Sequence, residues 1–229
     1  MTLPNCGIGY ISEQDYLEGE KVGTIKHEYI DGEVYAMAGA SKNHQRIVTM
    51  LSRRFSEHFD NTPCEVFSSD IKVHIDSKYF YPDVVVVCSN DDNDSYCTES
   101  PRIIIEILSS STRKNDRTFI LRTGIILRFW SPTPTLPHWE REFMKSADYA
   151  SSQYKRYIYQ TIPSLEEYVL IEQDFVQIEL CRKSENWMPG FYFIGDDVTF
   201  ASVGLTLPVA DIYQRVENDD MRAFYAARP

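Results

Sequence analysis

The sequence predicts an α/β or α+β fold in which helices flank one mixed β-sheet. Apolar side chains recur every four residues after Ser41, as on one face of a helix. Two runs rich in β-branched residues, 79–87 and 102–108, are typical of buried strands. An Asp31-Gly32 pair indicates a tight hairpin. Helical and strand patterns therefore occur together in one chain, which disfavours both a helical bundle and a β-sandwich.

The first elements are marked by a cap and a turn. Ser12 is placed to N-cap a helix through 15–20, which ends near Gly23. Residues 26–37 then form two short strands around the Asp31-Gly32 turn.

The later elements follow from apolar periodicity. The helix after Ser41 presents a stripe made of Ile47, Leu51, Phe55 and Phe59. Residues 65–75 alternate as one half-buried strand. The remaining predicted elements are strands at 164–171 and 176–180, short β pieces within 187–200, and a last amphipathic helix near 211–216.

Two carboxylates lie inside the buried strand runs. Asp83 follows Pro82, which is tolerated at the first residue of a strand, and Glu106 lies within the second run. The polar segment 89–100 is a predicted loop, so the runs are expected to be neighbouring strands about 4.8 Å apart. Buried acids are costly unless they are paired or bind a metal, and Mg²⁺ suits carboxylates with water. The pair therefore predicts a shared divalent ion; the alternative is structural ion pairs with Arg or Lys.

Composition and charge limit the function classes. The 229 residues are 43% hydrophobic and 25% charged, as in ordinary globular proteins of one domain or at most two. No apolar run is long enough to span a membrane, and the N-terminus lacks a signal-peptide layout, so a cytoplasmic protein is expected. The net charge of −11 argues against a protein that coats nucleic acid electrostatically, but it is compatible with a nuclease that has an acidic metal site and a local basic groove.

The cysteines and histidines show no ligand pattern. The five cysteines are scattered and form no C-x-x-C pair, so we predict free thiols in a reducing compartment, without a disulfide framework or a thiolate zinc site. The five histidines form no metal-binding motif.

Residues 120–154 do not fit the pattern around them. Three closely spaced prolines forbid a continuous helix or central strand there. If the segment is removed, Phe119, Tyr157 and Ile158 fall on one face of a helix that ends before Pro163. We interpret 120–154 as an insertion into that helix; the alternative is an ordinary long loop.

Six blocks of residues occur in a characteristic order along the chain: Glu28–Glu33, Ala36–Ser41 followed by His44, Ser69–Val73, Tyr81–Val85, Ile105–Thr112 and Pro163–Ile171. Together they resemble the Uma-type restriction endonuclease family, which is part of the PD-(D/E)xK nuclease superfamily. The resemblance covers 12–213, is interrupted at 120–154, and leaves 214–229 as a C-terminal tail. It implies a restriction-endonuclease-like core, a mixed sheet flanked by helices.

The resemblance assigns the Pro-Asp of the superfamily motif to Pro82-Asp83 and its second acid to Glu106. A standard motif has its lysine two residues further on, where this chain has Leu108. The resemblance implies that the lysine of this family has moved to the following helix. Once the insertion is removed, Lys155 stands at that position. Lys114 is the contiguous alternative.

The assignment implies metal-dependent phosphodiester hydrolysis. Asp83, Glu106 and the backbone carbonyl of Ile107 would hold Mg²⁺ or Mn²⁺, which screens phosphate charge and activates a water. Lys155 would favour the hydroxide form of that water and stabilise charge in the transition state.

Three further residues are candidate accessory groups. Glu28 or Glu33 would add another carboxylate, although exposed glutamates are common on any protein surface. His44 starts the helix after Ser41 and would either join the site or serve in capping and packing.

Two functions from different classes remain open at this stage. The first is a DNA endonuclease, which would act on both strands as a two-fold homodimer. The second is a catalytically impaired relative that binds DNA or protein, because the insertion disrupts the helix that carries Lys155.

Overall fold

The computed structural model describes residues 10–37, 39–89, 94–109 and 152–228. The helices in these ranges are α1 (Glu13–Val22), α2 (Lys42–Phe59), α3 (Ser152–Tyr159), α4 (Val209–Ile212) and α5 (Asp219–Ala226), with a 3₁₀ turn at Lys183–Glu185. The strands are β1 (His27–Ile30), β2 (Glu33–Ala36), β3 (Glu65–Ser68), β4 (Lys72–Ile75), β5 (Lys78–Phe80), β6 (Val84–Val87), β7 (Cys97–Thr98), β8 (Pro101–Leu108), β9 (Glu167–Glu172), β10 (Ile178–Arg182), β11 (Pro189–Tyr192), β12 (Asp197–Phe200) and β13 (Leu205–Pro208).

A six-stranded mixed sheet forms the centre of the fold. Its strand order is β11-β10-β9-β8-β6-β3, in which β8 and β9 are parallel and the other neighbours are antiparallel. All four residues of β6 and all six of β9 are buried, as expected for strands covered on both faces. The predicted α+β fold class, a mixed sheet flanked by helices, is confirmed.

Helix α2 covers one face of this sheet. Its predicted stripe is buried: Ile47, Leu51 and Phe55 are fully enclosed and Phe59 nearly so. These residues share a core with α4, α5 and the β12–β13 hairpin, and Phe55 packs edge-on against Phe200 at 4.9 Å between ring centroids. The helix begins where predicted, because the Ser41 side chain accepts a hydrogen bond from the backbone N–H of His44.

A second sheet and α3 cover the opposite face. The order of this five-stranded sheet is β2-β1-β5-β4-β7. Its residues Ile30, Val73 and Phe80 share a core with Tyr159 of α3 and with Tyr168 of β9. The main sheet is therefore enclosed between helices on one side and a smaller sheet on the other.

The local predictions near the N-terminus are confirmed. The Ser12 side chain accepts from the N–H of Asp15 at the start of α1, and Gly23 caps its end. Strands β1 and β2 pair around Asp31 and Gly32, whose φ angles of 49° and 97° are the left-handed values that a two-residue hairpin turn requires.

The prediction of a single strand over 65–75 is wrong. The chain breaks at Ser69, where φ is 61°, and passes from one sheet to the other. Strand β3 pairs with β6 in the six-stranded sheet, whereas β4 pairs with β5 and β7 in the five-stranded sheet.

The last predicted helix is displaced. Only four residues, Val209–Ile212, form α4, and the longer α5 follows after a cap in which the Asn218 side chain accepts from the N–H of Met221. Met221 is buried in the core of the α2 face. The segment 214–229 thus contains a helix that packs on the domain.

The prediction of free cysteines is wrong for Cys64 and Cys88, which form a disulfide. They extend the β3–β6 ladder by one residue beyond the Glu65–Val87 pair, so they stand opposite each other with Cα atoms 3.9 Å apart. Their separation of 24 residues gives no sign of this pairing in the sequence. Cys97 and Cys181 are free and buried, and Cys6 lies outside the described residues.

The predicted insertion lies mostly outside the described residues, as do Phe119 and Lys114. Helix α3 begins at Ser152, within the last three residues assigned to the insertion, and Tyr154 is buried in the core. Of the predicted stripe, Ile158 packs at the edge of that core. None of the helices in the described ranges has the length and apolarity needed to cross a bilayer.

Candidate active site

Strand pairing brings Asp83 and Glu106 together. Val84 of β6 is paired with Ile105 of β8, so Asp83, one residue earlier, stands opposite Glu106. Residues directly opposite each other in adjacent strands project from the same face of the sheet. This face is the one covered by the five-stranded sheet and α3, and both acids are mostly buried.

Both carboxylate oxygens of Asp83 have a protein donor. The backbone N–H of Ile107 donates to Oδ2 at 2.7 Å. The ring Nε2 of His44 lies 3.0 Å from Oδ1. Because Ser41 caps the first turn of α2, the same cap that starts this helix also positions His44 against Asp83.

Glu106 lies deeper than Asp83 and has donors from α3. Its Oε1 accepts from the Lys155 ammonium and from the Tyr159 hydroxyl, each at 3.2 Å. Lys155 and Tyr159 are four residues apart, so they project from one face of the helix. Burial, together with the charges of Asp83 and Glu28, raises the pKa of Glu106 to about 7, although the ammonium of Lys155 lowers it.

Lys155 links two acids that belong to different sheets. Its Nζ lies 2.6 Å from Oε1 of Glu28 and 3.2 Å from Oε1 of Glu106, and it also lies over the ring of Phe80. Burial lowers the pKa of Lys155, but the two carboxylates outweigh that effect and hold the pKa above its ordinary value. The lysine is therefore a charged donor inside the protein.

Of the other residues predicted from the sequence, Glu28 joins the cluster formed by Asp83, Glu106 and Lys155, and Glu33 does not. Glu28 is buried, and its Oε1 also accepts from the backbone N–H of Tyr81 at 3.3 Å. Glu33 is exposed on β2 and is bonded to the Tyr35 hydroxyl, away from these contacts. Lys114 lies outside the described residues.

Sequence reasoning did not include Tyr159. Its hydroxyl contacts Glu106 and its ring is fully buried against Phe80 and Tyr168. The sequence did indicate this position, because Tyr159 follows Lys155 by four residues and therefore lies on the same face of the helix. The predicted stripe instead favoured its neighbours Tyr157 and Ile158.

The donor set limits how a metal would bind here. In the described ranges, no three or more His, Cys, Asp or Glu side chains are grouped so that they would hold an ion together. The available oxygen donors are the carboxylates of Asp83 and Glu106 and nearby backbone carbonyls. Such a set, completed by water, is typical of Mg²⁺ sites.

Comparison with known proteins identifies the family of this chain. The sequence profile of the Uma2 family, described as "Putative restriction endonuclease", matches residues 14–210, and the resemblance found in the sequence is confirmed. An uncharacterised protein of Synechocystis sp. (strain PCC 6803) is 31% identical over 216 residues, 92% of this chain and 95% of that protein. A second one from the same organism is 30% identical over 178 residues, 76% of this chain and 81% of its own.

A solved structure has a similar fold. It is the crystal structure of "a putative nuclease belonging to DUF820" from Anabaena variabilis, with a TM-score of 0.60 and 13% sequence identity. The alignment covers 90% of this chain and 99% of that one. At this level of identity the likeness concerns the fold.

Proposed function

This chain belongs to the Uma2 family, and on that premise we propose that it is a divalent-metal-dependent DNA endonuclease that hydrolyses phosphodiester bonds. One observation carries the proposal. A buried, charged lysine, Lys155, contacts Glu106 beside Asp83, although the 35 residues interpreted as an insertion, 120–154, directly precede it in the sequence. An acid pair that could hold a metal, with an adjacent ammonium, is suited to phosphodiester hydrolysis.

The acid pair is suited to bind a cation. The negative charges of Asp83 and Glu28 act on Glu106, and this repulsion is part of what raises the pKa of Glu106. Bound Mg²⁺ or Mn²⁺ would relieve this repulsion and would supply charge screening and an activated water. Asp83 and Glu106 would provide carboxylate oxygens, and Ile107 its carbonyl. Since N–H and C=O of one strand residue point to the same neighbour, the Ile107 bond to Asp83 directs that carbonyl to the same side.

The surrounding residues hold these groups in place. His44 and the Ile107 amide fix the two oxygens of Asp83, and the Tyr159 hydroxyl orients Glu106. Lys155 stays protonated and offers its N–H bonds to negative charge that develops on a phosphate. We propose that the substrate is DNA. Where both strands are cleaved, the protein would act as a two-fold homodimer.

The alternative function is a catalytically impaired relative that binds DNA or protein because the insertion disrupts the helix that carries Lys155. The hydrogen bond from Lys155 of α3 to Glu106 of β8 supports the nuclease instead. DNA binding without cleavage is therefore kept as one outcome of the cleavage experiment below.

The decisive experiment is incubation of the purified protein with plasmid DNA and Mg²⁺ or Mn²⁺, with EDTA as the control. We expect metal-dependent nicking or linearisation that Asp83→Asn abolishes. Glu33→Gln is the matched control, because it removes an exposed acid outside the cluster. DNA binding without cleavage in either metal would identify a binding module instead, and cleavage unaffected by Asp83→Asn would place the chemistry elsewhere.

A further inference from the structure

Glu28 approaches the cluster from a different sheet than Glu106 does. Glu28 lies on β1 of the five-stranded sheet, and Glu106 lies on β8 of the six-stranded sheet. The Glu28 side chain is only 7% exposed, and its Oε1 accepts from both the Tyr81 amide and the Lys155 ammonium. The hydrogen bond from the Tyr81 amide holds this carboxylate against the backbone two residues before Asp83.

The ammonium of Lys155 is shared unequally between its two acids. It lies 2.6 Å from Glu28 and 3.2 Å from Glu106, whose Oε1 also accepts from Tyr159. If Glu106 binds a divalent cation, as the proposed function requires, the cation neutralises part of the carboxylate charge. Glu106 is then a weaker ionic partner for the ammonium. Glu28 then remains as the partner, and a buried ammonium without a partner is strongly unfavourable.

We propose that Glu28 is a positioning residue, which holds the Lys155 ammonium beside Asp83 and Glu106 while those two acids bind the metal. The inference rests on the proposed function and assigns the five-stranded sheet a part in its chemistry. It also separates Glu28 from the metal ligands. That separation agrees with the described part of the chain, in which three acids or histidines are nowhere arranged around a common ion position.

The test compares three variants of the full-length protein. Glu28→Gln keeps the side-chain volume and an oxygen for the Tyr81 amide but removes the charge, whereas Glu28→Asp keeps the charge. Glu33→Gln removes an exposed carboxylate from the adjacent strand β2 and is the matched control. The first readout is the acetylation rate of Lys155 in metal-free protein, mapped by mass spectrometry. The second is kcat and KM for plasmid cleavage with Mn²⁺.

We expect Glu28→Gln to raise the acetylation rate of Lys155 several-fold, because the ammonium loses its nearer partner. The variant should lower kcat by on the order of 10-fold or more at unchanged KM, since the lysine acts on charge that develops in the transition state. Glu28→Asp should restore part of both values. Glu33→Gln should match the wild type in both.

An active wild type whose Glu28→Gln variant keeps full kcat, or keeps wild-type Lys155 reactivity, overturns the positioning role alone. A wild type that cleaves no DNA overturns the proposed function and this role together. If Glu28→Gln fails to fold, as judged by circular dichroism, Glu28→Asp decides the question, because its shorter side chain must also raise Lys155 reactivity and lower kcat. Wild-type values for both readouts in Glu28→Asp would then refute the role.

Discussion

Removal of the Cys64–Cys88 disulfide should destabilise the protein by an amount that its loop length sets. The bridge closes a segment of 24 residues that leaves the six-stranded sheet after β3 and returns to it at β6. In the chain-entropy treatment, a crosslink over a loop of this size restricts the unfolded chain by about 3.5 kcal/mol at 25 °C. For a chain of this length, that free energy corresponds to a melting temperature lower by between about 7 and about 14 °C.

The assay is chemical and thermal unfolding of the wild type and of the double variant Cys64→Ala/Cys88→Ala, each with and without dithiothreitol. The reductant should destabilise the wild type to the level of the double variant and should leave the double variant unchanged. Thiol titration in denaturant gives an independent count: two more cysteines should react after reduction than before it. The reasoning would be refuted if all five thiols reacted before reduction. It would also be refuted if the reductant left the stability of the wild type unchanged.

Four further predictions concern the site and the segment beside it. Asp83→Asn should abolish metal-dependent cleavage, because the charge is lost, while circular dichroism and melting stay close to wild type, because the side-chain volume is kept; a variant with full activity contradicts the proposed role. The raised pKa of Glu106 means that its ionisation opposes folding, so the unfolding free energy of the protein in EDTA should fall as pH rises from about 4.5 to about 7, and Glu106→Gln should remove this fall. Ser41→Ala should cost about 1 kcal/mol in urea unfolding, because the N-cap bond of α2 is lost; an unchanged midpoint would mean that the cap contributes nothing. Deletion of 120–151, the part of the predicted insertion 120–154 that precedes α3, should retain the fold and raise both melting temperature and cleavage. Deletion of all of 120–154 should instead lower stability, because it also removes the buried core residue Tyr154; equal melting temperatures for the two deletions would contradict this.

The parts of the fold that the sequence predicted are those set by local patterns. The α2 stripe, the Ser41 cap and the Asp31-Gly32 turn depend on residues within a few positions of one another, and each was predicted correctly. Asp83 and Glu106 were recognisable because an acid within a β-branched run is conspicuous. Their neighbourhood in space followed from a single antiparallel pairing.

The parts that the sequence did not predict depend on contacts between distant segments. The Cys64–Cys88 bridge requires knowledge of the β3–β6 register. The contact of Glu28 with Lys155 spans 127 positions and joins a strand of one sheet to a helix on the other. No periodicity encodes such a contact, because it exists only after the two sheets have packed.

The chain passes between the two sheets twice within a short distance, at Ser69 and again just before Asp83, and these crossings are joined by a hydrogen bond from the Ser69 amide to the Asp83 carbonyl at 3.2 Å. Asp83 thus lies at the junction of the sheets, with Glu28 contributed from one side and Glu106 from the other. Neither sheet by itself can assemble the cluster. Pairing of β6 with β8 is enough to bring Asp83 and Glu106 together, whereas Glu28 meets Lys155 only where the five-stranded sheet packs on the six-stranded one. We expect conditions that loosen this packing to weaken the Glu28–Lys155 contact while Asp83 and Glu106 stay opposite each other at the β6–β8 pairing.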